Sequence, residues 1–466
     1  MTSSSFADLP LPPALLTNLK DMGYQSMTPI QAQALPQATA GRDLIAQAKT
    51  GSGKTATFGI PLLLQLNPRH FGVQGLVLCP TRELATQVAA EIRRLARYQE
   101  NIKVVTLSGG QSIGPQIGSL EHGAHIVVGT PGRIKDHLRK QTLDLSGVKM
   151  LVLDEADRML EMGFMEDMET IITHTPSSRQ TLLFSATYPE NIEALSSQFQ
   201  RDPERINVES QLTAATITER FFLSSKDTKL EDLIQVLRHI QVPSAVIFCN
   251  MKQTTEEVAR YLDSRRFNAL ALHGDLEQRE RDQVLTQFKH QSCSILVATD
   301  VAARGLDVED LPAVVNYDLP RDPDVYTHRI GRTARAGKHG LALSLLEEKE
   351  RYKLDKIGAS QEEKAPGDEK TVKLERPSEL RVDPEFSMLP GRKTLVIAGG
   401  RKDKVRPGDV LGALTGEAGI PGKAVGKIDI TDYSAFVTLA RDHAKDALKR
   451  LANGKIKGRK YKVRLL

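Results

Sequence analysis

Short apolar runs alternate with longer segments of helical spacing through most of the chain, and this alternation most constrains how it can fold. Several runs, such as residues 150–153, are apolar at every position, which is typical of a strand buried on both faces. Between two of the runs, residues 86–98 have the apolar spacing of a helix. The pattern predicts a parallel sheet covered by helices, with strands at 44–46, 75–79, 103–107, 125–128, 150–153 and 181–184.

The same pattern starts again after residue 209. Its apolar runs lie at 245–248, 269–272, 294–298, 313–315 and 342–346. Two α/β domains in tandem are the simplest interpretation, and we place them at residues 1–210 and 211–350. Ligands of such sheets bind at the carboxyl ends of the strands. Clusters of polar residues follow the predicted strands at 50–55, 154–157, 185–187 and 299–307.

The pattern of alternating runs stops near residue 350. Residues 351–390 are charged and contain several prolines, which favours a short extension of the second domain followed by a flexible linker. Residues 391–466 fit a small α+β domain of order βαββαβ. Its strands are expected at 394–398, 425–430, 435–439 and 461–465, and its helices at 410–414 and 442–451.

Charge is distributed unevenly between this C-terminal domain and the rest of the chain. Residues 391–466 contain 18 Lys and Arg against 7 Asp and Glu, a net charge of +11, whereas the whole chain carries +5. A compact basic domain attracts a polyanion, and nucleic acid is the first candidate. A solubilising tail is the simpler alternative. An anionic membrane is less favoured, because apolar residues interrupt the basic ones.

Several classes of protein are not favoured by the sequence. No apolar run approaches the ~18–20 residues needed to cross a bilayer, and the first residues do not resemble a secretory signal. The three cysteines, Cys79, Cys249 and Cys293, are far apart and are expected to be small core residues, not a disulfide framework or a zinc site. We therefore expect a cytoplasmic protein.

A phosphate-binding loop is predicted directly after the first strand. Glycines there allow backbone N–H groups to surround phosphate oxygens, the lysine adds a cation, and the threonine hydroxyl can bind Mg²⁺. A chance Gly/Lys loop is the alternative. The predicted ATP contacts in this loop are Thr50, Gly51, Ser52, Gly53, Lys54 and Thr55.

Two carboxylates and two arginines elsewhere in the chain are of the residue types that phosphoryl transfer requires. Asp154 and Glu155 follow the strand at 150–153, where the first can hold Mg²⁺ and the second can orient and deprotonate a water. Arg332 and Arg335 are three residues apart, so one helical turn would point them the same way. A guanidinium of this kind can stabilise charge on a transferring phosphoryl group. A solvated turn is the alternative for the carboxylates, and a surface face of salt bridges is the alternative for the arginines.

Taken together, these motifs resemble the DEAD-box RNA helicases, in order, over residues 6 to about 345. The resemblance implies two RecA-like domains that bind ATP and Mg²⁺ between them and grip RNA without reading its sequence. In residues 23–31, Gln31 would hydrogen-bond adenine, with Phe6 as the upstream aromatic, and Gly305 and Asp307 would also contact ATP. Residues that would couple hydrolysis to strand separation are Asp157, Ser185, Thr187 and His328. Residues that would contact RNA are Arg82, Gly109, Gly110, Thr130, Arg133, Gln278, Arg281, Thr299 and Arg304.

The C-terminal domain partly resembles an RNA-recognition motif, because aromatics of the usual sheet motif are replaced by Ser434 and Leu439. Base stacking would then fall to Phe436 or Tyr433, and the basic loops are the stronger candidates for RNA contact. The loop residues are Arg401, Lys402, Lys404, Arg406, Lys455, Lys457 and Arg459, with Lys460 and Lys462 beside them.

The whole chain looks like the bacterial DbpA subfamily. That resemblance implies an RNA-stimulated ATPase that opens short duplexes, binds a hairpin of 23S rRNA and assembles the large (50S) subunit from its precursors. Two alternatives stay open. One is a general DEAD-box helicase of RNA decay or cold adaptation, and the other is a clamp that holds RNA when ATP binds and seldom turns over.

Overall fold

A computed structural model describes residues 5–47, 52–185, 190–208, 217–303, 311–334, 339–357, 372–417 and 419–466. These residues form two compact units, the first ending at residue 208 and the second beginning at residue 217. Among the described helices, none is long and apolar enough to cross a membrane. The three cysteines are free and buried.

Unit 1 is built on a parallel sheet of seven strands in the order β3-β4-β2-β5-β6-β1-β7. The strands are β1 (Leu44–Gln47), β2 (Gly75–Leu78), β3 (Val104–Leu107), β4 (Ile126–Gly129), β5 (Met150–Leu153), β6 (Gln180–Ser185) and β7 (Glu204–Asn207). The helices are α1 (Pro13–Asp21), α2 (Pro29–Thr39), α3 (Lys54–Leu64), α4 (Arg82–Leu95), α5 (Gly114–Leu120), α6 (Pro131–Arg139), α7 (Ala156–Glu161), α8 (Met165–Thr173) and α9 (Glu190–Phe199).

Alternate residues of the sheet enter two separate cores. In and just after β2, Val77 and Cys79 pack into the core on one face, while Leu76 and Leu78 pack into the core on the other. Helices therefore cover both faces, which is why a central strand such as β5 is apolar at every position. The predicted parallel α/β architecture is confirmed.

Unit 2 repeats this topology. Its parallel sheet has the order β10-β11-β9-β12-β13-β8-β14, so both sheets read 3-4-2-5-6-1-7 when numbered from their own first strand. The strands are β8 (Ile217–Ser224), β9 (Ala245–Phe248), β10 (Ala269–Leu272), β11 (Ile295–Ala298), β12 (Ala313–Asn316), β13 (Gly340–Glu347) and β14 (Leu374–Glu375). The helices are α10 (Lys229–Ile240), α11 (Lys252–Ser264), α12 (Gln278–Lys289), α13 (Asp300–Ala303), α14 (Pro323–Ile330) and α15 (Tyr352–Lys356).

Part of the expected flexible linker is ordered on unit 2. Leu374 pairs with Phe221 to add β14 as the seventh strand. Glu375 holds Arg220 through two hydrogen bonds of 2.7 and 2.6 Å. Further along, Asn268 donates its backbone N–H to the carbonyl of Met388 at 3.2 Å. The sequence did not indicate this strand, because two residues are too few for a periodic pattern and a distant arginine decides where Glu375 lies.

The C-terminal domain has the predicted βαββαβ order. Its elements are β15 (Arg392–Ile397), α16 (Pro407–Gly412), β16 (Val425–Ile430), β17 (Ala435–Ala440), α17 (Arg441–Asn453) and β18 (Val463–Leu465). The strands form an antiparallel sheet of order β16-β17-β15-β18, and the helices cover one face of it.

The other face of this small sheet packs against the rest of unit 2. The Ser292 hydroxyl, just beyond α12, lies 2.6 Å from the hydroxyl of Thr394 on β15. The buried His290 ring contacts the Thr438 hydroxyl and the Asp429 carboxylate, both at 2.7 Å. The hydrogen bond from His290 lowers the pKa of the Asp429 carboxyl. Polar contacts thus fix the C-terminal domain to the end of α12.

Replacing His290 with Ala is expected to weaken this attachment. The change leaves the buried Thr438 hydroxyl and the Asp429 carboxylate without their partner, which typically costs ~1–3 kcal/mol. The free energy of unfolding, measured by urea denaturation of the full chain, should fall by that amount. His122→Ala, at an exposed histidine of unit 1, is the matched control, and equal stability of the two variants would contradict the assignment.

Candidate functional site

The carboxyl edge of the unit 1 sheet gathers three of the predicted polar clusters. Strands β1, β6 and β5 are neighbours, with Gln47 opposite Ser185 and Leu153 opposite Leu183. The phosphate loop follows β1, and Asp154 follows β5. Parallel pairing therefore brings them to one edge. Thr50, Gly51 and Thr187 lie outside the described residues.

The end of the phosphate loop has a conformation that suits glycine. Gly53 caps α3 with a φ of 93°, in the left-handed region. A β-carbon at this position would also lie 2.5 Å from the side-chain nitrogen of Gln31. Lys54 and Thr55 follow as the first two residues of α3. Both backbone conformation and close packing thus require glycine before the lysine.

Gln31 contacts the phosphate loop directly. Its carboxamide accepts a hydrogen bond from the Thr28 N–H at 2.9 Å and donates one to the Gly53 carbonyl at 3.2 Å. The Thr28 hydroxyl donates to the Ser52 carbonyl at 2.7 Å. These contacts tie the segment before α2 to the loop. The sequence predicted an adenine contact for Gln31, and its role at the loop is one that the sequence did not indicate.

Phe6, the other predicted base contact, is buried beside Tyr24. The two rings meet edge to face, with centroids 5.9 Å apart. The Tyr24 hydroxyl donates to Glu91, and burial together with this carboxylate raises the pKa of the tyrosine. The segment containing Phe6 is therefore anchored against unit 1 through an aromatic pair.

Lys54 and Asp154 form a buried pair of opposite charges. The lysine Nζ lies 4.0 Å from Oδ1 of the aspartate, too far for a hydrogen bond. Both atoms are buried, and neither has a hydrogen-bond partner among the described residues. Burial raises the pKa of Asp154 to about 6, against the opposing charge of Lys54. The Lys54 ammonium can still donate hydrogen bonds, and the Asp154 oxygen can still accept one or bind a cation. This pair fits a ligand that carries phosphate oxygens together with a cation.

The residues after Asp154 have an unusual backbone. Glu155 has a φ of 54° and a ψ of 52°, left-handed values that non-glycine residues rarely adopt. Strain of this kind is typical of functional positions.

Asp157 is buried at the start of α7, where its carboxylate accepts a hydrogen bond from the Arg158 N–H at 3.0 Å. Ser185 is buried at the end of β6.

The predicted RNA contacts of unit 1 lie in one loop and at the starts of two helices. Gly109 and Gly110 follow β3, and Thr130 caps α6. The Arg133 guanidinium donates to the Gln111 carbonyl at 2.8 Å, which joins α6 to the glycine loop. Arg82 begins α4.

In unit 2, the predicted RNA contact Arg281 joins α12 to the residues that follow β10 and β11. Arg281 on α12 donates to the carbonyls of His273 and Ala302, at 3.3 and 3.4 Å. Gln278 lies one turn earlier, and Thr299 follows β11 directly. Arg304, Gly305 and Asp307 lie outside the described residues.

The prediction that Arg332 and Arg335 share one helical turn is wrong for Arg332. Helix α14 contains His328 but ends at Ile330, so Arg332 lies in the following turn. Ala334 takes a φ of 56°, a left-handed value that ends the helical path. Arg335 lies outside the described residues.

The predicted basic loops of the C-terminal domain come together at one edge of its sheet. Lys457 donates its ammonium group to the Lys404 carbonyl at 2.8 Å, which joins the loop after α17 to the loop after β15. Lys457 also lies 3.8 Å from the Asp409 carboxylate. The predicted residues at this edge are Arg401, Lys402, Lys404, Arg406, Lys455, Lys457 and Arg459.

Three family models match the chain in sequence order. They are DEAD/DEAH box helicase over residues 28–195, helicase conserved C-terminal domain over 228–337 and DbpA RNA binding domain over 394–465. The ATP-dependent RNA helicase DbpA of Escherichia coli K12 is 49% identical over 456 residues, which cover 98% of each chain. The chain belongs to the DEAD-box ATP-dependent RNA helicases of the DbpA type.

Other helicases resemble a shorter part of the chain. The DEAD-box ATP-dependent RNA helicase CshA of Bacillus cereus is 44% identical over 355 residues, 76% of this chain and 67% of its own. A solved structure of S. cerevisiae Dbp5 bound to RNA and ADP BeF3 is 28% identical with a TM-score of 0.71, and covers 81% of this chain and 97% of its own. The helicase described here therefore uses ATP and acts on RNA.

Arg329 is a residue of this helicase whose importance the sequence analysis missed. Only 1% of it is exposed, and its guanidinium holds the Asp300 carboxylate through two hydrogen bonds of 2.7 Å. It also donates to the side chains of Asn250 and Asn316, at 2.8 and 3.2 Å. A further hydrogen bond reaches the Asp318 carbonyl at 2.6 Å, so Arg329 joins α14 to the residues that follow β9, β11 and β12. Arg329 directly follows His328, a predicted coupling residue, and this position in the sequence could have indicated its importance. Its partners are far away in the chain, so only the fold shows them.

Replacing Gln31 with Ala is expected to weaken ATP binding about tenfold, because the Thr28 N–H and the Gly53 carbonyl both lose a partner. The dissociation constant for a fluorescent ATP analogue measures this change. Gln31→Glu keeps the acceptor for Thr28 and removes the donor to Gly53. Its dissociation constant should therefore lie between those of wild type and Gln31→Ala. Wild-type affinity in Gln31→Ala would show that these contacts do not shape the loop.

Proposed function

We propose that this helicase opens short duplexes in 23S rRNA while the large ribosomal subunit is assembled in the cytoplasm. The observation that carries the proposal is its basic C-terminal domain, which matches the DbpA RNA binding domain and has a net charge of +11. The RNA contacts assigned to the two sheet units go to phosphate and ribose, which carry no sequence information. Selection of the target therefore falls to the C-terminal domain, with precursors of the 50S subunit as its partner.

ATP binding is assigned first to the phosphate loop. Thr50, Gly51, Ser52 and Gly53 donate backbone N–H groups to the phosphates, and Lys54 supplies a cation. Thr55 and Asp154 would hold Mg²⁺, and the buried, partnerless oxygen of Asp154 fits that role. When bound, Mg²⁺ neutralises charge on the phosphates.

Hydrolysis is assigned to Glu155 and two arginines. Glu155 orients a water and accepts its proton as the water attacks the γ-phosphorus and the bond to ADP breaks. Arg332 and Arg335 stabilise the negative charge that develops on the transferred group. Phe6, Gln31, Gly305 and Asp307 are assigned to position the remainder of the nucleotide.

The coupling of ATP hydrolysis to RNA strand separation is assigned to residues that are expected to change contacts when the nucleotide changes. The coupling residues are Asp157, Ser185, Thr187 and His328. ATP and RNA then favour the same conformation, so each strengthens binding of the other. A strand gripped in a bent shape cannot remain paired, and hydrolysis releases it. The outcome is local opening of short duplexes without long translocation.

The choice of RNA is tested by comparing ATP hydrolysis in the presence of 23S rRNA, 16S rRNA and an unrelated RNA of equal length. We expect half-maximal stimulation at a markedly lower concentration of 23S rRNA. Equal stimulation by all three RNAs would support a general helicase instead. Tight RNA binding with negligible turnover would indicate a clamp.

Lys54→Ala and Glu155→Gln are each expected to lower RNA-stimulated ATP hydrolysis by at least ~10²-fold, because each removes a group that acts on the transferring phosphoryl. Glu155→Gln should still bind ATP, since it keeps the shape of the side chain. The steady-state rate of phosphate release measures the effect. Glu121→Gln, at an exposed glutamate of unit 1, is the control, and normal turnover in either active-site variant would remove its assigned role.

Reversing charge at the C-terminal loops is expected to remove the preference for 23S rRNA. A triple variant, Lys455→Glu, Arg459→Glu and Lys460→Glu, changes three exposed residues. It should bind 23S rRNA less tightly, with a smaller dependence of log Kd on log salt concentration, because fewer counterions are released. Lys20→Glu, Arg97→Glu and Lys140→Glu together reverse the same number of exposed charges in unit 1. An unchanged preference in the first variant would contradict the assignment.

A further inference from the structure

The sheet of the C-terminal domain has no exposed face on which a base could stack. The helices cover one face, and the other packs against unit 2 through Thr394 and Thr438. Phe436 lies on that second face opposite Val396, two residues before Thr438 on β17, and is only 3% exposed. The aromatic that an RNA-recognition motif would offer from its sheet is therefore enclosed, and an RNA base needs another platform.

Tyr433 is the exposed aromatic residue of this domain. It occupies the turn between β16 and β17, and 59% of it is accessible to solvent. The turn is closed by backbone hydrogen bonding from the Thr431 N–H to the Ser434 carbonyl at 2.8 Å. The Ser434 N–H in turn donates to the Thr431 hydroxyl at 3.1 Å. These hydrogen bonds fix the backbone that carries the ring, so less conformational entropy is lost when the ring binds.

The loop after β15 packs directly against the Tyr433 turn. Arg401 donates its backbone N–H to the Thr431 carbonyl at 2.9 Å, and Lys402 donates to the Asp432 carbonyl at 3.0 Å. Gly400 permits this approach, because a β-carbon there would lie 2.4 Å from the Thr431 carbonyl oxygen. The side chains of Arg401 and Lys402 are exposed. Two cationic side chains therefore flank the turn that carries the aromatic ring, and the Arg401 guanidinium also lies 3.3 Å from the Asp432 carboxylate of that turn.

A third loop adds further positive charge to the same edge. The Lys457 ammonium reaches the Lys404 carbonyl at 2.8 Å, so the loop after α17 adjoins the loop after β15. Exposed Lys455, Arg459 and Lys460 extend the positive surface. We call the Tyr433 turn and these two loops the loop edge. It combines one flat apolar ring with a dense set of cations, which is the composition of single-stranded RNA sites.

We propose that Tyr433 stacks on an unpaired base of an RNA hairpin loop, while the basic side chains of the loop edge bind the phosphates on either side. The proposal rests on the function proposed above, since it names the residue through which the C-terminal domain recognises its RNA. Unpaired bases in loops are free to turn outward, whereas bases in a duplex are not. The ring therefore selects for a loop, and the cations bind the phosphates beside the stacked base.

The first test measures RNA binding by the full-length protein. Overlapping transcripts that tile 23S rRNA are titrated against wild type, and the tightest binder is kept as the probe. Tyr433→Ala should bind this probe roughly 10- to 100-fold more weakly, the loss expected for one stacked base. Tyr433→Phe should bind as wild type does, because the ring is kept. Equal affinity of Tyr433→Ala and wild type would overturn the proposal.

Two controls separate stacking from charge. Tyr352→Ala removes another exposed tyrosine, on α15 outside the C-terminal domain, and should leave affinity unchanged. A fully paired duplex of equal length should bind Tyr433→Ala and wild type equally, since a duplex offers no unpaired base. Equal losses for duplex and hairpin in Tyr433→Ala would mean that the variant only weakens general attraction.

The second test observes the stack directly. The chain contains no tryptophan, so Tyr433→Trp places a single indole at the loop edge. Its fluorescence should be quenched by the tightest-binding transcript and unchanged by the duplex. Binding of the transcript without any change in emission would overturn the proposal. If wild type instead shows no preference among the tiles and unrelated RNA, the proposed 23S rRNA target fails, while the quenching experiment with any hairpin still decides the role of Tyr433.

Discussion

The burial of Lys54 beside Asp154 at the edge of one parallel sheet is the interaction on which the candidate ATP site depends. The two groups lie 4.0 Å apart without a direct hydrogen bond, and both are shielded from water. A buried charge without a full set of partners is costly, which is reflected in the raised pKa of Asp154. Unit 1 is therefore built to receive a ligand that supplies both phosphate oxygens and a cation.

Rigid supports surround this pair. Gln31 and Thr28 hold the backbone of the phosphate loop, and Glu155 is fixed in a left-handed conformation directly after the strand. In unit 2 the buried Arg329 holds together the residues that follow three neighbouring strands. Side chains from other elements therefore fix the backbone of the phosphate loop in unit 1 and connect the strand ends in unit 2.

The attachment of the C-terminal domain to the rest of unit 2 decides which of its surfaces remain exposed. Contacts from His290 and Ser292 cover the sheet face that RNA-recognition motifs usually expose, while the loop edge remains open. Helix α12 carries the predicted RNA contacts Gln278 and Arg281 near its start and is followed by His290 at its end. The predicted RNA contacts of α12 and the proposed RNA site at the loop edge are therefore connected through one helix and the side chains that follow it.

The sequence by itself determined the two α/β units, the βαββαβ order of the last domain and the motifs of the ATP site. Apolar runs and glycine-rich loops are local patterns, and local patterns are visible in a chain read in order. It did not indicate β14, the buried role of Arg329 or the enclosure of Phe436. It also placed Arg332 on a helical turn, whereas α14 ends before it. Each of these features depends on partners distant in the chain, such as Arg220 for Glu375 and Asp300 for Arg329, so only the tertiary structure decided them.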